Sequence, residues 1–329
     1  MSFEEFKERL HYFPVIFITG GDGLVGSRCR QLFSQRYAEF TSTDIGDFDI
    51  TNSEAVNHRL KRVRPDVLIN FSAKINVLAI EKERGNYGLD AGQVNAIGAK
   101  NLAEACRENN IFLVHISTDY VFPGYPPVPL NQGPFAENSS VAHSSEGTNW
   151  YGWTKREGER FVQEAMGSEG KFAIVRIARP FRADFERTDF ARNILKLYSE
   201  GKLYPMMIDM TIAPTFIDEL VKALKKVIEK EDVICALPPN RRILHVVSRD
   251  QMSLLDHSRC LIKTFTGQEP KIEGIYMSDF YRKNPGMYQM PRRGLLCDRT
   301  QELLEMRFMS CQEQIEELCR QRKALGLTL

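Results

Sequence analysis

The chain has no run of eighteen apolar residues among its 329, so no segment reads as a helical membrane span. It has no excess of charge of either sign. Its 44 basic and 43 acidic residues leave a net +1, which argues against broad affinity for nucleic acid or anionic membranes. Its seven cysteines are odd in number and form no Cys-x-x-Cys. That pattern implies reduced thiols rather than a disulfide framework. The six histidines (His11, His58, His115, His143, His245 and His257) show no metal-ligand spacing with one another or with cysteines, so no metal site is expected. No Gly-x-Ser-x-Gly elbow and no Gly-Lys-Ser/Thr phosphate loop appears. Met1 to Leu10 is charged and lacks the apolar core of a signal peptide. The expectation is a cytoplasmic protein with one large core or two modest ones.

What is present is an alternation of strand and helix. Val15–Thr19 is short, apolar and β-branched, and a glycine follows it. Further strands are expected at 39–42, 67–71, 111–116 and 172–177. Helices are expected at 24–37, 53–62, 91–109 and 150–166. Strands separated by helices imply right-handed crossovers and a parallel, doubly wound α/β sheet. Beyond about residue 180 the alternation loosens. Helices at 190–199, 216–230, 251–266 and 302–325, with a short strand at 243–247, suggest a smaller α/β lobe over the sheet's C-terminal edge. The division is 1–180 and 181–329, interleaved. The Pro-, Gly- and Ser-rich stretch 122–149 reads as a long loop and a candidate lid. His115 lies mid-strand and reads as a satisfied core residue.

The turn between the first strand and helix carries Gly20, Gly23 and Gly26. Glycines there permit a tight turn and close backbone approach to a pyrophosphate seated on the helix N-terminus. Asp44 follows the second strand. A carboxylate there would accept the ribose hydroxyls and repel a 2′-phosphate, favouring NAD over NADP. Asp47 and Asp49 lie nearby, and Asp49-Ile50 could instead flank the adenine.

Tyr151 and Lys155 are four apart on an expected helix, so they share a face. An ammonium beside a phenol favours the phenolate, which would make Tyr151 a usable proton donor and acceptor. A second Tyr-x-x-x-Lys, Tyr198 to Lys202, contains Gly201 and follows no strand; it reads as a surface helix end. Thr118 ends the fourth strand, where its hydroxyl would meet a substrate carbonyl. Glu157 and Glu159 read as solvated helix charges.

These features occur together in the order of the extended short-chain dehydrogenase/reductases. The chain resembles the dTDP-4-dehydrorhamnose reductase family through Asp49-Ile50-Thr51-Asn52, Arg64-Pro65-Asp66-Val67-Leu68-Ile69-Asn70 and Asn95–Ala103. The most specific segments are Ser117-Thr118-Asp119-Tyr120-Val121-Phe122 and Tyr151-Gly152-Trp153-Thr154-Lys155.

The resemblance implies a Rossmann-type fold with a C-terminal substrate lobe. It implies NAD(P)H-dependent reduction of the 4-keto group of a nucleotide-linked 6-deoxy sugar. Thr118, Tyr151 and Lys155 would be the catalytic trio. NAD or NADP, NAD slightly favoured, would contact Gly20, Asp22, Gly23, Leu24, Val25, Gly26, Asp44, Asp49, Ile50, Phe71, Ser72, Ala73, Tyr151 and Lys155. Substrate would contact Thr118, Asp119, Tyr120 and Arg292. A homodimer is compatible with the resemblance. The same family holds a non-catalytic branch, the regulatory β-subunit of methionine adenosyltransferase, whose partner would be the catalytic subunit. Another sugar-nucleotide reductase or epimerase is the third reading.

Overall fold

A computed structural model describes residues 14–33, 40–43, 48–124, 133–287 and 290–327. Asp44 and residues 125–132 of the long loop lie outside the described residues.

Six parallel strands form the central sheet: β1 Ile16–Thr19, β2 Phe40–Thr43, β3 Val67–Asn70, β4 Phe112–Thr118, β5 Phe172–Ile177 and β6 Ile243–His245. Their spatial order is β2-β1-β3-β4-β5-β6. The alternation of side chains explains why both faces are covered. Ile16 and Ile18, Val67 and Ile69, and Val114 and Ile116 enter one core. There they meet Cys29 and Phe33 of helix α1 (Leu24–Phe33). Phe17, Leu68 and Leu113 enter the opposite core. That core holds Leu60 of α2 (Ser53–Val63), Leu102 of α3 (Ala99–Glu108) and Val162 of α4 (Trp150–Met166). The result is the three-layer, doubly wound arrangement.

A third core builds the lobe. It joins Ile194 and Leu195 of α5 (Phe190–Ser199) to Leu261 and Ile262 of α7 (Leu254–Thr266) and to Ile315 and Leu318 of α8 (Cys311–Ala324). Helix α6 (Ile217–Glu229) returns to the sheet instead, placing Leu220 and Leu224 against the first core. Strand β6 likewise returns from the second half of the chain to extend the sheet. None of the helices among the described residues is long and apolar enough to cross a membrane.

One expectation is corrected. The helix expected over 302–325 is two helices, Asp298–Leu304 and α8. Glu305 adopts a left-handed φ of 50° that ends the first. Ser310 starts the second through a capping box, its hydroxyl accepting from the Glu313 N–H. The described part of the long loop carries apolar anchors. Phe135 is fully buried, stacked on Phe122 at 4.3 Å. Its N–H donates to the Gly294 carbonyl, and its own carbonyl accepts from the Leu296 N–H. Glu137 is buried and accepts from Thr300 Oγ1 at 2.6 Å. Phe135 and Glu137 therefore pin the start of this stretch to the C-terminal segment by apolar burial and strand-like pairing.

Candidate active site

The chain doubles back past β1 between β2 and β3. Open α/β sheets form their ligand crevice at the carboxyl ends of strands at such a switch point. A cleft of about 550 Å³ lies there.

Its floor is the glycine turn. Gly20 has φ +68°, and a Cβ on it would stand 2.7 Å from the Ser72 nitrogen. The left-handed conformation and the lack of space both demand glycine. A Cβ on Gly26 would stand 2.2 Å from the Gly20 carbonyl oxygen, so α1 can pack onto the turn only through a bare Cα. The first N–H groups of α1 have no acceptor within the helix, and Gly23, Leu24 and Val25 line the cleft. This is a cradle for an anion.

The other wall comes from the end of β4 and the start of α4. Asn149 caps α4, its side chain accepting from the Gly152 N–H at 2.8 Å. This cap fixes the first turn, which carries Tyr151. Tyr151 and Thr118 line the same cleft. The Thr118 hydroxyl donates to Asp119 Oδ1 at 3.1 Å and accepts from the Tyr120 N–H at 3.3 Å. Tyr120 stacks edge-on against Tyr151 at 5.7 Å. Burial raises the Asp119 carboxyl above the ordinary range, and the Arg179 charge partly offsets this.

Lys155 is buried and donates from Nζ to the Ile116 carbonyl at 2.7 Å, with His115 Nε2 at 3.4 Å. Burial lowers its ammonium to about 8, against the charge of Glu159. The expected lowering of the Tyr151 phenol by this lysine is not what the site shows. Burial pushes the phenol up to about 12, and the nearby Thr118 hydroxyl only partly opposes it. At neutral pH the phenol is therefore loaded with its proton.

A family model of the RmlD substrate binding domain matches residues 15–322. The chain belongs to the RmlD substrate binding domain family. One relative of this RmlD-family chain, the dTDP-4-dehydrorhamnose reductase of Streptomyces griseus, is 32% identical over 211 residues, 64% of each protein and so just under two thirds. The same enzyme of Aggregatibacter actinomycetemcomitans is 26% identical over 80% of this chain and 85% of that one. Among solved structures, dTDP-4-dehydrorhamnose reductase from Bacillus anthracis in complex with NADP superposes with a TM-score of 0.78 at 24% identity, covering 94% of this chain and 100% of that one.

In this RmlD-family chain the cleft is lined by Gly20, Gly23, Leu24, Val25 and Gly26 from the turn, by Asp49 and Ile50, and by Phe71, Ser72 and Ala73. Thr118, Asp119, Tyr120, Tyr151 and Lys155 line it too. Asp22 does not; its carboxylate pairs with Arg30 at 2.7 Å on the exposed side of the turn. Arg292 does not either, because Asp209 holds it at 3.0 Å within the lobe.

Lining residues absent from the sequence reading include Lys74, Ile75, Arg179 and Arg187. Arg179 follows β5 with a left-handed φ of 44°. Its guanidinium lies 5.2 Å over the Phe190 ring and donates to Met210 Sδ at 3.7 Å. No motif marks it; only its position after a strand end points to the cleft. Glu157 and Glu159 are buried rather than solvated. Arg176 clamps Glu159 with bonds of 2.8 and 2.7 Å. The signal was available, since Glu159 is four residues beyond Lys155 on the same helix face.

Proposed function

We propose that this chain is a nicotinamide-dependent reductase of the keto group of a nucleotide-linked sugar, with a 4-keto-6-deoxyhexose as the substrate sugar. The observation that carries the reading is the meeting of the glycine cradle with Thr118, Tyr151 and Lys155 in one cleft. The relatives named dTDP-4-dehydrorhamnose reductase support the substrate class.

The residues fit a dinucleotide. Gly20 leaves the space that a Cβ would fill, and the open end of α1 suits a pyrophosphate. When bound, the reduced nicotinamide supplies a hydride to the carbonyl carbon. The chain supplies the rest. Thr118 and Tyr151 hydrogen-bond the carbonyl oxygen and polarise it. The Tyr151 phenol gives its proton to that oxygen as negative charge develops there. Lys155 holds the ribose and stands beside the phenol on α4. Arg179 and Arg187 offer positive charge toward the substrate's phosphates. Residues 1–180 hold the dinucleotide, and 181–329 close over the substrate.

NADH serves at least as well as NADPH in this reading. Asp44 follows β2 in sequence and Asp49 lines the cleft, and a carboxylate near the ribose repels a 2′-phosphate. Fluorescence titration with both cofactors, followed by reduction of dTDP-linked 4-keto-6-deoxy sugars, tests the proposal. A preference for NADPH above about tenfold, or about 1.4 kcal/mol, would refute the carboxylate argument. Absence of binding by either cofactor would refute the function.

A further inference from the structure

Beneath the cleft a buried chain of polar groups runs across three strands to Lys155. Thr19 Oγ1 donates to Asn70 Oδ1 at 2.7 Å, and the Ser72 N–H donates to the same atom at 3.0 Å. A backbone N–H can only donate, so that atom is the amide oxygen and the other is the NH₂ group. The NH₂ stands 3.1 Å from His115 Nδ1. It has only hydrogens to offer, so Nδ1 must accept. A neutral imidazole that accepts at Nδ1 carries its proton on Nε2. Nε2 faces Lys155 Nζ at 3.4 Å, while Nζ donates to the Ile116 carbonyl at 2.7 Å. Every bond then points one way, from Thr19 through Asn70, His115 and Lys155 to Ile116. The chain of bonds closes when Lys155 has given up a proton, because a neutral amine can accept from Nε2–H and an ammonium cannot.

We propose that His115 is a positioning residue for Lys155: locked by Asn70 with its proton on Nε2, it turns an N–H toward the Nζ that the Ile116 carbonyl holds, disfavours the ammonium there and so makes it a ready proton donor to the cleft. The charges around Lys155 agree. Asn70 on β3 is neutral. Glu159 on α4 has both oxygens taken by Arg176 of β5. Tyr151 on α4 is a neutral phenol, and Asp119 after β4 is bonded to Thr118. Burial and the Lys155 charge hold the His115 imidazole well below its ordinary value, so it stays neutral. This rests on the proposed function, in which Tyr151 gives its proton to substrate: Lys155, lining the same cleft, then gives up a proton toward it and becomes a neutral amine that accepts from Nε2–H.

The test is NMR of the full chain with ¹⁵N-labelled histidine and ¹³C-labelled lysine. Wild-type His115 is expected as the Nε2–H tautomer. Asn70→Asp keeps an acceptor for Thr19 and Ser72 but presents a carboxylate to Nδ1. It should move the proton to Nδ1 and raise the Lys155 midpoint at least one pH unit, tenfold in proton affinity. Adding His115→Phe to Asn70→Asp should abolish most of that rise. An Nδ1–H tautomer in the wild type would overturn the inference. So would an unmoved Lys155 midpoint in Asn70→Asp, or a rise that persists undiminished in the double variant. The NMR readout needs no turnover. A protein without reductase activity that shows these shifts would overturn the proposed function and leave the role of His115 standing.

Discussion

Gly152→Ala is the most revealing small change near the site. Gly152 sits in the first turn of α4, directly after Tyr151. A Cβ there would stand 2.1 Å from the Tyr120 carbonyl oxygen and 2.7 Å from Thr148 Oγ1. Cβ contacts below 3.0 Å essentially never occur, so the helix start must recede by about 0.9 Å. The backbone of Tyr120 cannot yield cheaply, because its N–H is tied to Thr118 and its carbonyl to Thr148. Forcing a methyl group into so tight a place costs about 1–3 kcal/mol. Withdrawing the phenol by about 1 Å costs on the order of a hundredfold in rate. The assays are kcat/KM for keto-sugar reduction and the urea midpoint. Cofactor affinity should stay within a few-fold, since the glycine turn lies on another wall. Gly147→Ala is the control, because its nearest neighbour would be an ordinary 3.5 Å away. If Gly152→Ala matched the wild type in both rate and midpoint, the close approach would not be what positions Tyr151.

Three further outcomes follow from the same contacts. Glu159→Gln should destabilise the protein by about 3–5 kcal/mol in denaturant unfolding, since it strands the Arg176 guanidinium, 2% exposed, without its counter-ion; a loss below 1 kcal/mol would contradict a buried pair. His257 is buried with neither ring nitrogen hydrogen-bonded, and burial depresses it to about 3. Its unfolded form binds a proton more readily, so its contribution is intact above about 6.5 and is lost as pH falls toward 3. His257→Leu should flatten that acid loss in unfolding midpoints measured across this range, and an unchanged slope would contradict the assignment. Arg179→Ala should raise the sugar-nucleotide KM about tenfold or more, as for a lost charged hydrogen bond of about 1.5–3 kcal/mol. Its cofactor affinity should not change, and an unmoved KM would remove Arg179 from the substrate side.

The parallel sheet was legible because its strands are short, β-branched and bounded by turn residues. Gly20 and Gly26 were legible because a strand-to-helix turn exposes its demand for small residues in the sequence itself. The Tyr151–Lys155 face was legible from helical spacing. The acidity of Tyr151 was not, since spacing says nothing about desolvation, and burial outweighs the charge of a lysine that bonds to Ile116 instead. The pairing of Arg292 with Asp209 was not legible, because the two are 83 residues apart. Arg179 was invisible because a single arginine after a strand carries no pattern. The break at Glu305 had a signal, the Ser310-x-x-Glu313 capping box, which a charged amphipathic pattern on both sides obscured.

The central claim is that the buried phenol of Tyr151 delivers the proton in a nicotinamide-dependent keto-sugar reduction. Its most direct test is single-turnover oxidation of bound NADH or NADPH with a dTDP-linked 4-keto-6-deoxy sugar, comparing wild type with Tyr151→Phe. The account predicts turnover in the wild type. It predicts a loss of about a hundred- to ten-thousand-fold in the variant, with cofactor affinity held within a few-fold. A Tyr151→Phe protein that reduces the sugar at the wild-type rate, or a wild type that binds cofactor yet reduces no keto sugar, would contradict it.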